Sequence, residues 1–451
     1  MKAKNYLIVG AGRSGIAAGR MLSELGESFT VYDGNKSLDT AAVAKQINGT
    51  KDIPFLLGDI KNEDLKGFDI CVVSPGVPLD TPIMKAVKKM NIPIYSEIEL
   101  AYLYDKGDII AITGTNGKTT TTSLVYEIVK AHDSDTLLVG NIEIPYTGLA
   151  LTSKEGGATV AEISSFQLET MITFRPKVSA ILNITPDHLD RHKTMENYAD
   201  IKKSIAKNQT KEDFCVLNYE DEVLREFGKT LKCNVIFFSS LRELEDGYFY
   251  KDGTVYFAEN GAATPFINVD ETNLVGLHNY ENIMAAVAMT RSFGISDDII
   301  KAALRRFTAV EHRIEYVATK KGVKYYNDSK GTNTDAAIKA IDAMPSPTVL
   351  IGGGYDKDAD FSEWVSHFPG KVRRLILIGQ TREKIAQACD KIGFRDYCFA
   401  ESLQEAVKLC YESAKEGDCC LLSPACASWG MFKCYQERGD MFKEYVRALE
   451  E

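Results

Sequence analysis

Apolar residues fall in short bursts along the chain, and what lies between the bursts sets the fold class. Tyr6-Leu-Ile-Val9 runs into the glycine turn Gly10-Ala-Gly-Arg-Ser-Gly15 and then into a stretch of helical spacing that closes at Gly26. Residues 29–32 and 70–73 repeat the burst, and 81–90 has helical spacing again. A second series starts at Ile109-Ile-Ala-Ile-Thr113 and continues through a helix with Leu124, Val125, Ile128 and Val129 on one side. It goes on with strands at 159–163, 178–184 and 214–217. Asp252-Gly253 at the centre of 248–257 predicts a hairpin, because the favoured tight turn needs positive φ at both central residues. A third series has strands at 323–326, 348–351, 375–378 and 420–422, separated by helical stretches. Short continuous apolar strands alternating with helices read as parallel sheets covered on both faces. The pattern predicts an α/β protein of three successive units, taken as 1–96, 97–309 and 310–451. Two Rossmann-like units would flank a central one with a parallel or mixed sheet.

At 451 residues the chain has room for three such cores. Lys and Arg number 53 against 63 Asp and Glu, and the net charge of −10 argues against a general nucleic-acid or anionic-membrane binder. Anionic ligands would need positive groups concentrated in local sites. No apolar run approaches the ~18 residues of a membrane span, and the burst at 6–9 is too short for a signal-peptide core. The ten cysteines include no Cys-x-x-Cys pair and read as buried thiols of a reducing cytoplasm. The expectation is a cytoplasmic monomer with neither nucleic-acid nor membrane partners.

Candidate chemistry clusters where strands end. Gly114-Thr115-Asn116-Gly117-Lys118-Thr119-Thr120 stands between a strand and a helix. Its glycines let backbone N–H groups close round phosphates at a helix N-terminus. Lys118 would reach the terminal phosphates, and the Thr119 hydroxyl would ligate Mg²⁺. The turn Gly10-x-Gly12-x-x-Gly15, with Asp33 after the next strand, fits a nucleotide or pyrophosphate ligand. Glu162 closes a strand and could hold Mg²⁺ beside the phosphate loop. Asn183-Ile-Thr-Pro-Asp187-His188-Leu-Asp-Arg191-His192 is a polar cluster after another strand, with His188 a candidate ligand for a second metal. Asn279 and Asn282 at a helix start could read an adenine edge, and Arg313 could contact phosphate. In the third unit the polar loops 327–332, 352–357 and 423–428 follow successive strands and together outline a pocket. Two other readings stay open on these residues alone. One is a nicotinamide-dependent dehydrogenase built on the first turn; the other is a nucleotide sensor without catalysis.

Taken in order, the phosphate loop, Glu162, Asp187-His188 with Arg191, His278-Asn279 with Asn282, and His312-Arg313 resemble the Mur ligase family, which makes the peptide stem of bacterial peptidoglycan. The resemblance spans essentially the whole chain. It implies an ATP-dependent amide ligase that works through an acyl phosphate. Asn327-Asp328-Ser329-Lys330 and 423–428 look most like the members that add D-glutamate to UDP-N-acetylmuramoyl-L-alanine. The resemblance also implies roles. Ser14, Asp33, Ser74 and Gly76 would lie close to the UDP end of the sugar nucleotide, and Asn141 would contact the same substrate. Gly114 to Thr120 would bind ATP, and Thr119 with Glu162 would hold one Mg²⁺. His188 and Lys202 would support a second Mg²⁺, with Lys202 as a carbamate. Asn279, Asn282, Arg313 and Asp328 would hold the adenosine and phosphates. Lys330, Thr332, Lys357, Ser428 and Tyr435 would surround the incoming glutamate. Lys118, Glu162, His188, Lys202 and Lys330 would form the catalytic set. Tyr435 stands where the family usually has phenylalanine, and Arg13 stands in a turn where apolar residues are common.

Overall fold

The computed structural model describes residues 4–49, 52–142, 144–308, 311–356 and 358–451. Among the described residues the strands build three sheets, in the N-terminal, central and C-terminal parts of an α/β chain. The first contains β1 Asn5–Val9, β2 Ser28–Asp33, β3 Phe55–Leu57, β4 Ile70–Val73 and β5 Ile94–Ser96. All its pairs are parallel, in the order β3-β2-β1-β4-β5. The order reverses between β1 and β4. The loops leaving those two strands, 10–15 and 74–76, therefore open on the same crevice.

The second sheet contains β6 Asp108–Thr113, β7 Leu137–Gly140, β8 Ala158–Glu162, β9 Val178–Ile181, β10 Phe214–Asn218, β11 Asn234–Ser239, β12 Gly247–Lys251, β13 Thr254–Glu259 and β14 Ala262–Asn268. Its order is β14-β13-β12-β11-β10-β9-β6-β8-β7. β6 pairs in parallel with both β8 and β9, which places three chemistry-bearing strand ends side by side. The expected hairpin is β12–β13, with Asp252 and Gly253 at φ 45° and 78°. β9 stops at Ile181, short of the expected 184. Asn183 turns its backbone and amide oxygens to Thr115 N and Asn116 N, and Ile184 N bonds Asp221 Oδ2 at 2.7 Å.

The third sheet contains β15 Glu315–Lys320, β16 Val323–Asn327, β17 Thr348–Gly352, β18 Val372–Leu377, β19 Tyr397–Phe399 and β20 Cys419–Leu422. The order is β15-β16-β20-β17-β18-β19, parallel except for the β15–β16 hairpin. β20 lies between β16 and β17, so the loops after those three strands share one end of the sheet.

By compactness the chain divides into two units, 1–266 with 281–304, and 267–280 with 305–451. The first two sheets of the first unit share one continuous apolar core, which runs from Ile8, Val31 and Val72 through Ile98, Leu100 and Tyr146 to Ile109, Ala161 and Ile181, and the first sheet has a second core around Leu7, Val73 and Met84. The short helix Glu97–Tyr102 joins the two sheets and is fixed by its own buried glutamates. Glu97 Oε1 accepts from Thr147 N and Oγ1, and the Glu99 carboxylate accepts from the backbone N–H groups of Ile172, Thr173 and Phe174 and from the Thr173 hydroxyl. The second unit has an apolar core on each face of its sheet, one around Trp364, Phe368 and Leu377 and one around Tyr325, Phe442 and Val446.

All ten cysteines are free thiols, and eight are buried as expected. Cys398 is half-buried and Cys434 is exposed, because Cys434 stands in the loop that opens the helix Tyr435–Arg447. Among the described residues no helix is long and apolar enough to cross a membrane.

Candidate active site

β6 delivers residues 114–117 to the centre of the second sheet, and the helix Lys118–His132 leaves from them. Gly117 has φ 84°, and a Cβ there would collide with the amide oxygen of Asn282. Glycine is the residue that meets both demands. The loop is tied to the segment after β9. Thr115 N donates to Asn183 O (2.9 Å) and Asn116 N to Asn183 Oδ1 (2.8 Å). Thr115 Oγ1 also lies 3.1 Å from both Thr185 O and the Tyr198 hydroxyl. On the other side Asn282 Oδ1 accepts from Thr121 Oγ1 at 3.1 Å. Lys118 curls back over the loop, with Nζ donating to Gly114 O (2.9 Å) and Thr115 O (2.8 Å). Thr119 is half-buried and Thr120 buried on the first helical turn, which carries no acidic residue. A positive helix end with a lysine folded over it suits an anion.

Glu162 ends β8 in register with Ile112 of β6 and is 1 % exposed. Its Oε1 accepts from Asn141 Nδ2 at 2.6 Å, while Oε2 is buried without a hydrogen-bond partner. An unsatisfied buried oxygen is costly unless something else meets it. The carboxylate of Glu162 and the hydroxyl of Thr119 are hard oxygen donors on neighbouring elements, a set that fits Mg²⁺. His188 is exposed, adopts φ 52°, and places Nε2 3.4 Å from Asp187 Oδ2. Lys202 is 1 % exposed; its Nζ donates to Gly114 O at 2.7 Å and sits 4.7 Å from the centre of the Tyr198 ring. Burial, reinforced by the neighbouring Lys118 charge, pushes its ammonium down to about 7, with Asp187 pulling weakly the other way. Burial therefore favours the neutral amine at Lys202 far more than at an exposed lysine.

Several residues of this site carried no role in the sequence reading. Tyr198 links Thr115 to Lys202, and its position four residues before Lys202 on one helix was the available signal. His192 is the buried histidine of the cluster, with Nε2 2.9 Å from Ser165 Oγ and its ring between Phe166 and Tyr198. Arg191 forks onto Glu169 (2.5 and 3.1 Å) and donates to Val77 O at 3.1 Å, which ties the loop after β4 to this cluster.

In the first sheet, Asp33 Oδ2 accepts from Ala11 N at 2.9 Å, and Ser74 Oγ donates to Gly10 O at 3.2 Å. Gly10 has φ 101°, and a Cβ would stand 2.9 Å from the Ser74 Cβ. Asp33 and Ser74 thus meet the turn 10–15 from either side. Ser14 is half-buried on the first turn of the helix Arg13–Glu24, and Gly76 is exposed.

In the second unit Asp328 is buried, accepts from Ser423 Oγ at 2.7 Å, and is pushed up to about 7 by burial. Lys330 Nζ lies 5.8 Å from the centre of the Tyr435 ring. Thr332 is half-buried, and its N bonds Lys330 O at 2.9 Å. Ser428 is buried, and Tyr355 N bonds Ala427 O at 3.0 Å, joining the loops after β17 and β20. Arg313 is exposed between His312 and Ile314, which both have positive φ. Asn279 is buried in this unit, its Nδ2 donating to Val275 O at 2.7 Å. Lys357 lies outside the described residues. Arg438, which sequence reasoning passed over, is completely buried.

A phosphate loop with a buried, half-satisfied carboxylate on the adjacent strand, inside a chain of three α/β sheets, defines a nucleotide-handling enzyme class. The chain belongs to the Mur ligase family. Residues 4–96 match the Mur ligase MurD-like, N-terminal domain, 112–290 the Mur ligase middle domain, and 312–426 the Mur ligase, glutamate ligase domain. The chain is 51% identical over 448 residues to the UDP-N-acetylmuramoylalanine–D-glutamate ligase of Lachnoclostridium phytofermentans, covering 99% of each chain. It is 52% identical over 449 residues to the ligase of the same name from Lachnospira eligens, covering 100% of each. Two solved structures from Thermotoga maritima share the fold. The UDP-N-acetylmuramate–alanine ligase aligns with TM-score 0.59 and 18% identity over 99% of both chains. The MurF ligase in complex with ADP aligns with TM-score 0.57 and 17% identity over 99% of this chain and 96% of the other.

Proposed function

We propose that this chain is an ATP-dependent ligase that joins D-glutamate to UDP-N-acetylmuramoyl-L-alanine. The observation that carries the chemistry is the phosphate loop flanked by the half-satisfied Glu162. The choice of substrates rests on full-length likeness to enzymes of that name. A carboxylate resists amines, because its charge repels them and it has no usable leaving group. Phosphoryl transfer from ATP turns it into an acyl phosphate, the amine of D-glutamate attacks, and the tetrahedral intermediate collapses to amide and phosphate. Lys118 and Lys330 would offset charge on the transferring phosphoryl group. Two Mg²⁺ ions, one held by Thr119 and Glu162 and one near His188 and Lys202, would supply further charge neutralisation. The neutral amine of Lys202 is the form that adds carbon dioxide, which would give that position a carboxylate-like ligand.

The remaining roles follow the same reading. Ser14, Asp33, Ser74, Gly76 and Asn141 would hold the sugar nucleotide. Asn279, Asn282, Arg313 and Asp328 would hold the adenosine and phosphates. Lys330, Thr332, Lys357, Ser428 and Tyr435 would hold D-glutamate. The working division is 1–96 for the sugar nucleotide, 97–309 for ATP and 310–451 for the amino acid, in a cytoplasmic monomer. The test is phosphate release by the purified protein with ATP, Mg²⁺ and UDP-N-acetylmuramoyl-L-alanine, comparing D-glutamate, L-glutamate, L-lysine and no amino acid. Release with D-glutamate alone is expected. Release with another amino acid would overturn the pocket, and no release despite nucleotide binding would overturn the ligase reading.

A further inference from the structure

Arg438 stands on the first turn of the helix Tyr435–Arg447 with none of its surface exposed. Its Nε donates to Ser329 Oγ and its Nη2 to Ser329 O, both at 2.9 Å. Nη1 and Nη2 both reach Cys426 O at 3.2 Å. Ser329 Oγ in turn donates to Tyr435 O at 2.8 Å. No carboxylate among the described residues comes within ion-pair distance of the guanidinium. Burial presses its pKa down to about 10, opposed by Cys426 and Asp328. A buried cation without a direct counter-charge is expensive, and an apolar side chain of similar volume would fill the space at lower cost. What an apolar side chain cannot do is hold a hydroxyl and two carbonyls in the fixed plane of a five-donor fork.

The three groups held in that plane belong to two segments, and the Ser329 hydroxyl joins a third, the start of the helix, through Tyr435 O. Ser329 is in the loop after β16 and immediately precedes Lys330; Cys426 is in the loop after β20, two residues before Ser428; Tyr435 opens the helix. Lys330, Ser428 and Tyr435 are the residues to which the proposed function gives the incoming amino acid. We propose that Arg438 is the positioning residue of this half-site: its guanidinium sets the spacing between the two strand-end loops and the helix, and so the geometry in which D-glutamate is held. The inference rests on the ligase reading. Asp328 has tethers of its own, from Ser423 Oγ and from its N–H to Leu422 O, both at 2.7 Å, so the residues given to ATP depend less on the fork.

Arg438→Lys keeps the charge and loses the fork. In the complete assay the KM for D-glutamate should rise about tenfold or more, while the KM values for ATP and the sugar nucleotide stay within about twofold. Ser329→Ala removes only the hydroxyl between Arg438 and Tyr435; it should shift the same constant in the same direction by less, and it carries the test if the lysine variant does not fold. A glutamate KM unchanged in the folded variant, or all three KM values and kcat changing together alongside a collapse of thermal stability, would overturn the assignment and leave Arg438 as packing. The ligase reading fails separately, in the wild-type assay, if phosphate release ignores D-glutamate.

Discussion

Glu162 uses one oxygen for Asn141 and leaves the other buried and unbonded, and that asymmetry makes a sharp prediction. Glu162→Gln keeps the shape and can keep accepting from Asn141, but it turns the unbonded oxygen, proposed to meet a cation, into a donor. Turnover should fall at least about a hundredfold, with the melting temperature changed by no more than a few degrees. Phosphate release and thermal denaturation of the same preparation check this, and near-normal turnover would remove the cation assignment. The sequence made this residue readable, because a carboxylate at the end of an apolar strand beside a phosphate loop has few uses. Lys202 was not readable on its own residues. A lysine four positions after a tyrosine is ordinary, and only the fold brings its ammonium to Gly114 O in a buried place. Arg438 gave still less signal, since its partners are a hydroxyl and carbonyls more than a hundred residues away or in a neighbouring loop.

Among the elements, most central strands were legible because each is a continuous apolar burst, although β11 Asn234–Ser239 was passed over. The edges were not: β3, β5 and β19 span only three residues each, too few to show a period. The helix Glu97–Tyr102 was also hidden, since two glutamates in its first turn read as solvent-facing until the fold buries them. Glu97 bears a consequence for pH. Burial raises its carboxyl from 4.5 to about 7, against the pull of the Thr147 hydrogen bonds. Between those two values the folded chain holds a proton that the unfolded chain has lost, so stability falls as pH rises through this window. Glu97→Gln removes that dependence. Denaturant unfolding at pH 5 and pH 7.5 should show the variant gaining on the wild type at the higher pH, and two curves offset equally at both pH values would contradict the burial of a protonated Glu97.

At the scale of the whole molecule, the three-part α/β pattern was legible from the alternation of bursts and helices, but the grouping of cores was not. Sheets one and two share one continuous apolar cluster, and the first sheet has a second cluster around Leu7, Val73 and Met84, whereas both clusters of the third sheet are its own. Periodicity reports which residues turn inward and says nothing about which neighbouring core they join. Cooperative unfolding follows shared cores, because residues in one cluster lose their burial together. Calorimetry of the full chain should therefore resolve two transitions, one carrying both N-terminal sheets and one carrying the third. The phosphate loop, Glu162 and Lys202 all lie in the first unit. ATP analogue with Mg²⁺ at about a hundred times its dissociation constant should stabilise that unit by about 2.7 kcal/mol. The transition that moves can be assigned with Lys118→Ala, which should abolish the shift without merging the two steps. A single transition whose calorimetric and van't Hoff enthalpies agree would show that the cores unfold as one, and that the division by compactness does not extend to energetics.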